Sequence, residues 1–395
     1  MQGTFKVLLM METSRKYGRS IIRGISKYSR THGQWVFYRQ APFYWESENK
    51  NASLKQLQNL DIDGIILREQ REPELTKKIL DMGLPVVVSP YRELFPDLPN
   101  IVTDDDAIGK TAAEYLLCKG FKNFAYCGFG KKYYWSRERG ISFTERIKKA
   151  GFLAHSFEYE QPNSDYNHSW EQEQNILVDW INSLPKPIAI MACNDDRSQH
   201  VLEACKIAGF KVPDQVAIIG LGDDDLICNL ATPPLSSIAL GAEKAGYEAA
   251  AMLEKLMKGG KKTNNDNIIV PTMYVATRQS TDILKIDDPY VAQALQFIHK
   301  YARKEVIQVS DVLKAVPISR RSLYERFTYV LGRSVHEEIK HVRIDQFSRM
   351  LVDTNLPVSQ ISALMGCADM KNLARYFKQA KGVSPLQFRK NYSLK

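Results

Sequence analysis

Short apolar runs alternate with amphipathic helical patterns over the first 280 residues of the chain. Runs rich in Val, Ile and aromatic residues predict strands at 6–10, 35–39, 64–67, 85–89, 101–103, 124–127, 189–192 and 216–221. Helical spacing of apolar residues predicts helices at 14–29, 107–119, 143–150, 196–208 and 243–257. This alternation indicates βαβ units and a parallel sheet that helices cover on both faces.

Polar and acidic residues directly follow three of these predicted strands. The three runs are Thr103-Asp104-Asp105, Cys193-Asn194-Asp195 and Gly222-Asp223-Asp224. Ligands of parallel α/β sheets bind at the carboxyl ends of the strands. The same residue types also cap the N-termini of helices. The pattern therefore indicates either a ligand-binding edge or a series of helix caps.

After Ser280 the apolar residues recur only at helical spacing. A polar link at 281–289 leads into short helical segments, which are separated by breaks at Pro317, Gly332, Pro357, Gly366, Gly382 and Pro385. We predict a first domain of two lobes at 1–284 and a second, all-helical domain at 285–395.

Two segments of the second domain share one architecture. Residues 309–327 and 358–378 each combine an amphipathic helix, a short turn and a second helix with Leu and Phe four positions apart. In a helix-turn-helix unit, such apolar pairs lock the two helices together and leave polar residues facing outward. A regular apolar stripe at 335–351 predicts one long helix between the units. A plain helical bundle with a basic surface is the alternative.

The distribution of charge favours a polyanionic partner for this second domain. Residues 287–395 carry 18 Lys and Arg against 10 Asp and Glu, a balance of +8, and the rest carries 36 against 35, a balance of +1. Double-stranded DNA is the polyanion that helix-turn-helix units bind. A solvated basic face without a partner is the alternative on charge alone.

Composition narrows the class of protein further. With 44% hydrophobic and 25% charged residues, the chain of 395 residues is typical of a globular protein of several domains. The longest early apolar run, 7–11, is too short for a signal peptide or a spanning helix. We expect a cytoplasmic protein without membrane contact, whose six dispersed cysteines are buried thiols.

Residues 290–392 resemble the DNA-binding domain of the AraC family. The resemblance is carried by Ile361, Ser362, Gly366, Phe377, Lys378, the run Gly382-Val383-Ser384-Pro385, Phe388 and Arg389. Arg343 stands where the family has an arginine that opens the linking helix, and Cys367 replaces an aromatic residue.

The resemblance to the AraC family implies which side chains read operator DNA. For the first unit it implies Arg321, Tyr324 and Glu325. In the two units together, Arg320, Arg326 and Lys378 are implied as phosphate contacts or flanking surface. For the second unit it implies Met370, Lys371, Ala374 and Arg375. Glu325 either accepts a hydrogen bond from a cytosine amino group or orients a neighbouring arginine.

The first domain resembles the periplasmic-binding-protein-like core of LacI-type regulators. The similar segments are 102–105, the run Ser136-Arg137-Glu138-Arg139 with Phe143, 193–195, 216–223 and 235–238. The resemblance implies two α/β lobes and an effector site to which Arg139, Asp195 and Asp104 contribute. Arg139 would donate paired hydrogen bonds to vicinal hydroxyls; an ion pair with Glu138 or a helix neighbour is the alternative.

Aromatic and acidic residues complete the implied effector site. Trp135 and Trp45 are candidates for stacking on a pyranose ring, although such side chains are commonly part of the core. Gly222 stands where relatives commonly have an aspartate, and the acid follows at Asp223. Either the loop is reshaped so that Asp223 accepts from a sugar hydroxyl, or this contact is lost.

Together, the two resemblances imply a sugar-responsive transcription regulator. They imply D-xylose or another aldopentose as effector, a homodimer, activation of sugar-uptake genes and contact with RNA polymerase. A front domain that senses another ligand or a protein partner is one alternative. A sugar-modifying enzyme is the weaker alternative, because the chain lacks phosphate-binding, dinucleotide-binding and nucleophile-elbow motifs. We expect no catalytic residues, no metal site and no cofactor.

Overall fold

The computed structural model describes residues 4–39, 61–68, 73–90, 95–130, 133–157, 170–261, 267–283, 285–303, 305–367 and 370–392. Backbone contacts divide the chain into two compact units. The first unit combines Met1–Asp104 with Gly241–Pro271, and the second combines Asp105–Leu240 with Thr272–Lys395. The chain therefore passes between the units three times.

The first unit is a parallel α/β lobe. Its elements are β1 (Lys6–Met10), α1 (Lys16–His32), β2 (Val36–Arg39), β3 (Gly64–Arg68), α2 (Pro73–Leu80), β4 (Val86–Ser89), β5 (Ile101–Thr103), α8 (Ala242–Met257) and β11 (Ile268–Val270). The sheet has the order β2-β1-β3-β4 with every pair parallel, and β11 pairs with β5. Buried Leu, Ile and Val side chains of β1, β3 and β4 form its core.

The second unit begins with another α/β lobe. Its elements are α3 (Asp105–Cys118), β6 (Phe124–Cys127), α4 (Tyr134–Lys149), β7 (Ala154–Phe157), α5 (Trp170–Ser183), β8 (Ile188–Ala192), α6 (Asp195–Ile207), β9 (Val216–Leu221), α7 (Asp225–Leu230), β10 (Ser236–Leu240) and β12 (Thr272–Ala276). The sheet order is β12-β10-β9-β8-β6-β7, and only the edge strand β12 runs antiparallel. A core lies on each face of this sheet. The two-lobed α/β prediction is confirmed.

The rest of the second unit is helical. Its elements are α9 (Pro289–Tyr301), α10 (Val309–Ala315), α11 (Arg320–Leu331), α12 (Val335–Asp353), α13 (Val358–Leu364), α14 (Met370–Lys381) and α15 (Pro385–Tyr392). The predicted boundary at 284/285 falls between the end of β12 and the start of α9. The helical region groups with the second lobe in backbone contacts, because the link before α9 packs along that lobe.

Two small hydrophobic cores organise the helical region, and α12 contributes to both. Val335, Ile339 and Val342 pack into the core of α9, α10 and α11. The C-terminal half of α12, including Phe347 and Leu351, packs into the core of α13, α14 and α15. The prediction of two helix-turn-helix units around one long helix is confirmed.

Arg343 lies at the junction of the two cores, near the middle of α12 and not at its opening as the family pattern implied. Its side chain is only 8% exposed. Nη1 donates to the carbonyl oxygens of Ala302 and Glu305, beyond α9, and Nη2 donates to Met365 O and Cys367 Sγ, beyond α13, at 2.9 and 2.6 Å. One guanidinium therefore joins the two units.

Within the residues described above, no helix is both long and apolar enough to cross a membrane.

Candidate effector site and nucleic-acid interface

Arg139 is buried at the carboxyl ends of the second-lobe strands. Its Nε donates to Asp105 Oδ1 at 2.8 Å and its Nη1 donates to Cys193 O at 2.9 Å. Asp105 lies in the first turn of α3, where the helix dipole also stabilises its negative charge. The guanidinium is thus held in one orientation by a buried ion pair, and the pair is with Asp105, not Glu138.

The close packing of α3 on α4 brings these two residues together. A Cβ atom at Gly109 would lie 2.6 Å from Phe143 N and 2.7 Å from Arg139 O. A larger residue at Gly109 would separate the helices, so this glycine sets the distance between the Arg139 side chain and the end of α3.

Trp135 provides the surface beneath Arg139. The guanidinium carbon lies 4.7 Å from the centre of the indole ring, within the range of a cation–π interaction. Tyr133 stacks on the same indole at 5.4 Å, and Phe129 meets it edge-on at 6.3 Å. Trp135 is therefore partly core, as one reading of the sequence expected, and also lies against a predicted effector residue.

Asp195 is almost completely buried, and both of its carboxylate oxygens accept hydrogen bonds. Oδ1 accepts from Ser237 Oγ at 2.5 Å, and Oδ2 accepts from the backbone N of Asp224 at 2.8 Å. Burial raises the pKa of Asp195 to about 6, although these hydrogen bonds act in the opposite direction. The cap of α6 is the preceding residue, Asn194, whose Oδ1 accepts from Arg197 N at 2.8 Å.

The loop after β9 passes over the Asp195 carboxylate. Gly222 has a φ of +122°, and a Cβ atom there would lie 3.1 Å from Asp195 Oδ2. Asp223 also has a positive φ, +52°. The backbone conformation at position 222 therefore disfavours any side chain there, including an aspartate.

Asp223 itself forms an ion pair within the protein. Its Oδ1 accepts from Arg278 Nη2 at 2.8 Å, and its backbone N donates to Ser237 Oγ at 2.9 Å. Arg278 follows the end of β12 and also donates to Leu235 O at 3.0 Å. The sequence analysis did not identify Arg278, because its partner lies 55 positions earlier in the chain.

Asp104 and Trp45 are the remaining residues predicted for the effector site. Asp104 belongs to the first unit, where its backbone N donates to Val270 O at 3.1 Å. Arg139, Trp135, Asp195 and Asp223 belong to the second unit. Trp45 lies outside the described residues.

A second buried arginine lies near the same strand ends. Arg197 is 1% exposed, pairs with Glu173, and lies between the rings of Phe129 and Phe157 at 4.9 and 5.1 Å. Its Nε has no hydrogen-bond partner among the residues that the structure describes. No pattern in the sequence identified it, because an arginine in the first turn of a helix is usually exposed.

The second helix of the first helix-turn-helix unit, α11, is anchored by Leu323 and Phe327, both fully buried. Its predicted DNA-binding residues lie on the other side. Arg321 is 89% exposed and its Nε donates to Glu325 Oε1 at 2.9 Å, so Glu325 orients a neighbouring arginine in the DNA-free chain. Arg320 lies over the ring of Tyr324 at 5.7 Å.

Arg326, on the same helix, contacts the link that precedes α9 and lies apart from the exposed side of α11 that bears Arg321. Its Nη1 forms an ion pair with Asp288 Oδ2 at 2.7 Å, and its guanidinium lies 5.5 Å from the ring centre of Tyr290. This contact holds α11 to the start of α9.

The second recognition helix, α14, has the same construction. Leu373 and Phe377 are buried, while Lys371 and Arg375 are exposed and Ala374 is half-buried. The Arg375 guanidinium lies 5.2 Å from the ring centre of Tyr376. Met370 begins the helix, and its side chain lies outside the described residues.

Two family models match the chain. A model described as a periplasmic binding protein-like domain matches residues 113–281. A model described as a helix-turn-helix domain matches residues 312–391. The first matched segment covers most of the second lobe together with α8 and β11 of the first unit, and the second covers most of the helical region.

Curated relatives resemble the chain along its whole length. The xylose operon regulatory protein of Haemophilus influenzae is 28% identical over 394 residues, which cover 98% of each chain. The protein of the same name from Escherichia coli K12 is 28% identical over 396 residues, covering 97% of this chain and 96% of its own. These homologues regulate transcription and are not enzymes.

Solved structures show the same architecture. A structure described as the xylose-binding transcription activator xylR covers 99% of both chains, with a TM-score of 0.60 and 27% identity. A periplasmic binding protein/LacI transcriptional regulator from Alkaliphilus metalliredigens, in complex with D-xylulofuranose, covers 70% of this chain and 99% of its own. Its TM-score is 0.54 at 19% identity, which shows the fold alone.

Proposed function

We propose that a monosaccharide controls the DNA binding of this chain. The premise is that the chain is a helix-turn-helix transcription regulator with a periplasmic-binding-protein-like domain, homologous to the xylose operon regulatory proteins. The effector is D-xylose or another aldopentose. In the cytoplasm, a homodimer binds double-stranded operator DNA and activates genes of sugar uptake and catabolism, with RNA polymerase as a further partner.

The exposed faces of α11 and α14 support the proposed binding to DNA. Each helix is anchored by a buried Leu and Phe and presents basic side chains on its other side. Arginine and lysine on such a face neutralise phosphates and donate to guanine in the major groove. Arg321 and Arg375 are the arginines we assign to base contacts.

Arg139 supports the proposed binding of a sugar effector. A guanidinium held by Asp105 and by Cys193 O is preorganised to donate to adjacent hydroxyls of a sugar. The Trp135 indole beside it offers an apolar face of the kind that packs on a pyranose. Since Asp105 and Asp223 already balance the charges of Arg139 and Arg278, neither guanidinium requires an anionic ligand.

An equilibrium between conformations of the chain links sugar binding to DNA binding. A sugar shifts the chain toward one conformation only to the extent that it binds that conformation more tightly. By linkage, operator DNA then changes the affinity for the sugar by the same factor.

Two substitutions separate DNA binding from effector binding. Operator DNA is first selected from a random double-stranded library with the purified protein, and affinity is measured by fluorescence anisotropy. Arg375→Ala should weaken operator binding by about 1–3 kcal/mol, roughly 5- to 150-fold. Lys300→Ala, which removes an exposed cation of α9 outside both helix-turn-helix units, is the matched control and should change the affinity less than about threefold. Equal effects of the two variants would contradict the assignment of Arg375.

The effector is identified by thermal shift with D-xylose, L-arabinose, D-ribose and D-glucose. A ligand that binds only the folded chain raises its stability according to concentration and Kd. Arg139→Lys keeps the charge opposite Asp105 but loses the planar pair of donors, so the shift should decrease while operator affinity stays unchanged. If no sugar shifts the wild-type chain, the front domain senses a different ligand or a protein.

A further inference from the structure

One short segment, 274–278, lies between Arg349 and the loop after β9. Arg278 is part of this segment and holds the loop after β9 through Asp223, at 2.8 Å. Arg349 belongs to α12 of the helical region and donates to Val275 O. The segment thus contacts the candidate effector loop at one end and the helix shared by both DNA-binding units at the other.

The end of the segment at Arg278 is held by hydrogen bonds. The backbone N of Arg278 donates to Ser236 Oγ at 2.8 Å, and Ser236 Oγ donates to Arg278 O at 2.9 Å. Ser280 is fully buried and donates to Ile218 O at 2.6 Å. A displacement of the Asp223 loop would therefore also move this segment, because Arg278 is bonded both to Asp223 and to Ser236 of β10.

The other end of the segment, at Tyr274 and Val275, is held by side chains of α12. The Arg349 guanidinium lies 5.3 Å from the centre of the Tyr274 ring, in addition to its hydrogen bond with Val275 O. Val352, three residues later on α12, packs on the small cluster formed by Ala239, Met273, Tyr274 and Ala276. Each of these contacts is made with β12 or with its neighbour β10.

Other contacts attach the helical region to the lobe at a different place. The backbone N of Lys285 donates to Lys119 O at 2.7 Å, and Lys122 pairs with Asp287. These residues follow α3 and lie on the link, so they hold the helical region without contacting β12. Arg349 is distinguished from them by its contact with β12, the strand that leads into Arg278.

We propose that Arg349 is a positioning residue, through which the Asp223 loop, Arg278 and β12 set the orientation of α12 and so the response of DNA binding to the effector. This inference rests on the proposed function, since it requires a sugar that changes operator affinity. α12 contributes to the cores of both helix-turn-helix units, so one contact on this helix acts on both recognition helices.

The experiment measures operator affinity of the full chain by anisotropy, with and without D-xylose, L-arabinose or D-ribose. Calorimetry measures the sugar Kd of each variant separately. In the wild type, the sugar changes the operator affinity by some factor. In Arg349→Met this factor should be at least about fivefold smaller, while the sugar Kd measured without DNA should be unchanged. Arg349→Lys, whose ammonium still reaches Val275 O and Tyr274, should restore most of the response. Lys122→Met, which removes the ion pair with Asp287 on the link, should keep the response.

The outcomes distinguish this inference from the function on which it rests. If the wild-type chain shows no change of operator affinity with any sugar, the proposed function and the inference fail together. If the wild type responds and Arg349→Met responds equally, the inference alone is wrong. Equal losses in Arg349→Met and Lys122→Met would also overturn it, because docking in general, and not the contact with β12, would then carry the response.

Discussion

Replacement of Arg343 by methionine should uncouple the two helix-turn-helix units. The methionine retains most of the apolar stem but removes every hydrogen bond of the guanidinium. Ala302, Glu305 and Met365 each lose a charged donor to a carbonyl oxygen, and Cys367 loses the donor to its thiol. These carbonyls lie at or just beyond the C-terminal ends of α9 and α13, where a positive charge is also favourable.

The magnitude follows from the number of bonds. A hydrogen bond in a protein contributes about 1 kcal/mol net, and more when one partner is charged. Three carbonyl partners, counted at about 1 kcal/mol each, therefore give a loss of about 3 kcal/mol. A loss of this size raises the equilibrium constant for local opening roughly 100-fold.

Hydrogen exchange followed by mass spectrometry measures this opening directly in the full chain. Amides of α13 and α14 should exchange roughly 100-fold faster in Arg343→Met, whereas amides of β8 and β9 should be unaffected. Lys378→Met, an exposed change on α14, is the matched control. Exchange in α13 and α14 within about threefold of the wild type would refute the reasoning that Arg343 joins the two cores.

Three further predictions concern the second lobe. Since burial raises the pKa of Asp195 to about 6, its contribution to stability, of order 3 kcal/mol, is complete below about pH 4 and is lost as the pH rises to about 6. Asp195→Asn should remove this part of the pH dependence of the melting temperature, and an unchanged profile would contradict the assignment. Gly222→Ala should lower the urea midpoint by an amount equivalent to about 1–3 kcal/mol, because its φ of +122° excludes side chains. Gly209→Ala, at a φ of +74° with open space around it, is the control and should cost less. Arg197→Met leaves Glu173 without its partner and should destabilise the lobe by about 3–5 kcal/mol in a denaturant titration, unless Glu173 turns to solvent, in which case the loss will be below about 1 kcal/mol.

Local signals in the sequence were sufficient for the helical region. Ser319 and Ser334 cap α11 and α12 through backbone amides three residues later, and apolar residues recur at helical spacing between the caps. Such signals depend only on residues close together in the chain. The two helix-turn-helix units could therefore be placed from the sequence to within a few residues.

Strands without an apolar pattern could not be predicted in the same way. β10 begins with Ser236 and Ser237, whose buried hydroxyls bond to Thr281 and Asp195. β7 lies at the edge of its sheet and has two exposed residues among four. In both strands it is tertiary contacts that stabilise the extended backbone, and these contacts are not visible in local periodicity.

The partners of the candidate site residues were the least predictable feature. The position of Arg139 in a recognisable run identified it, but its ion pair with Asp105 spans 34 positions of the sequence. Asp223 was identified as an acceptor, and the structure gives it Arg278 as a donor. An ion pair between distant positions depends on how α3, α4 and β12 pack, which one sequence does not encode in any local pattern.

The shared helix α12 has a consequence for how these regulators can change during evolution. Each residue added to an α-helix rotates the downstream part of the helix by about 100° and moves it by about 1.5 Å. A single insertion between Val342 and Ile344 would therefore turn the second core away from the first and misdirect one recognition helix. Insertions of seven residues, close to two full turns, restore the direction and lengthen the spacing. The length of α12, 19 residues, thus sets the distance between α11 and α14, the two helices proposed to bind DNA.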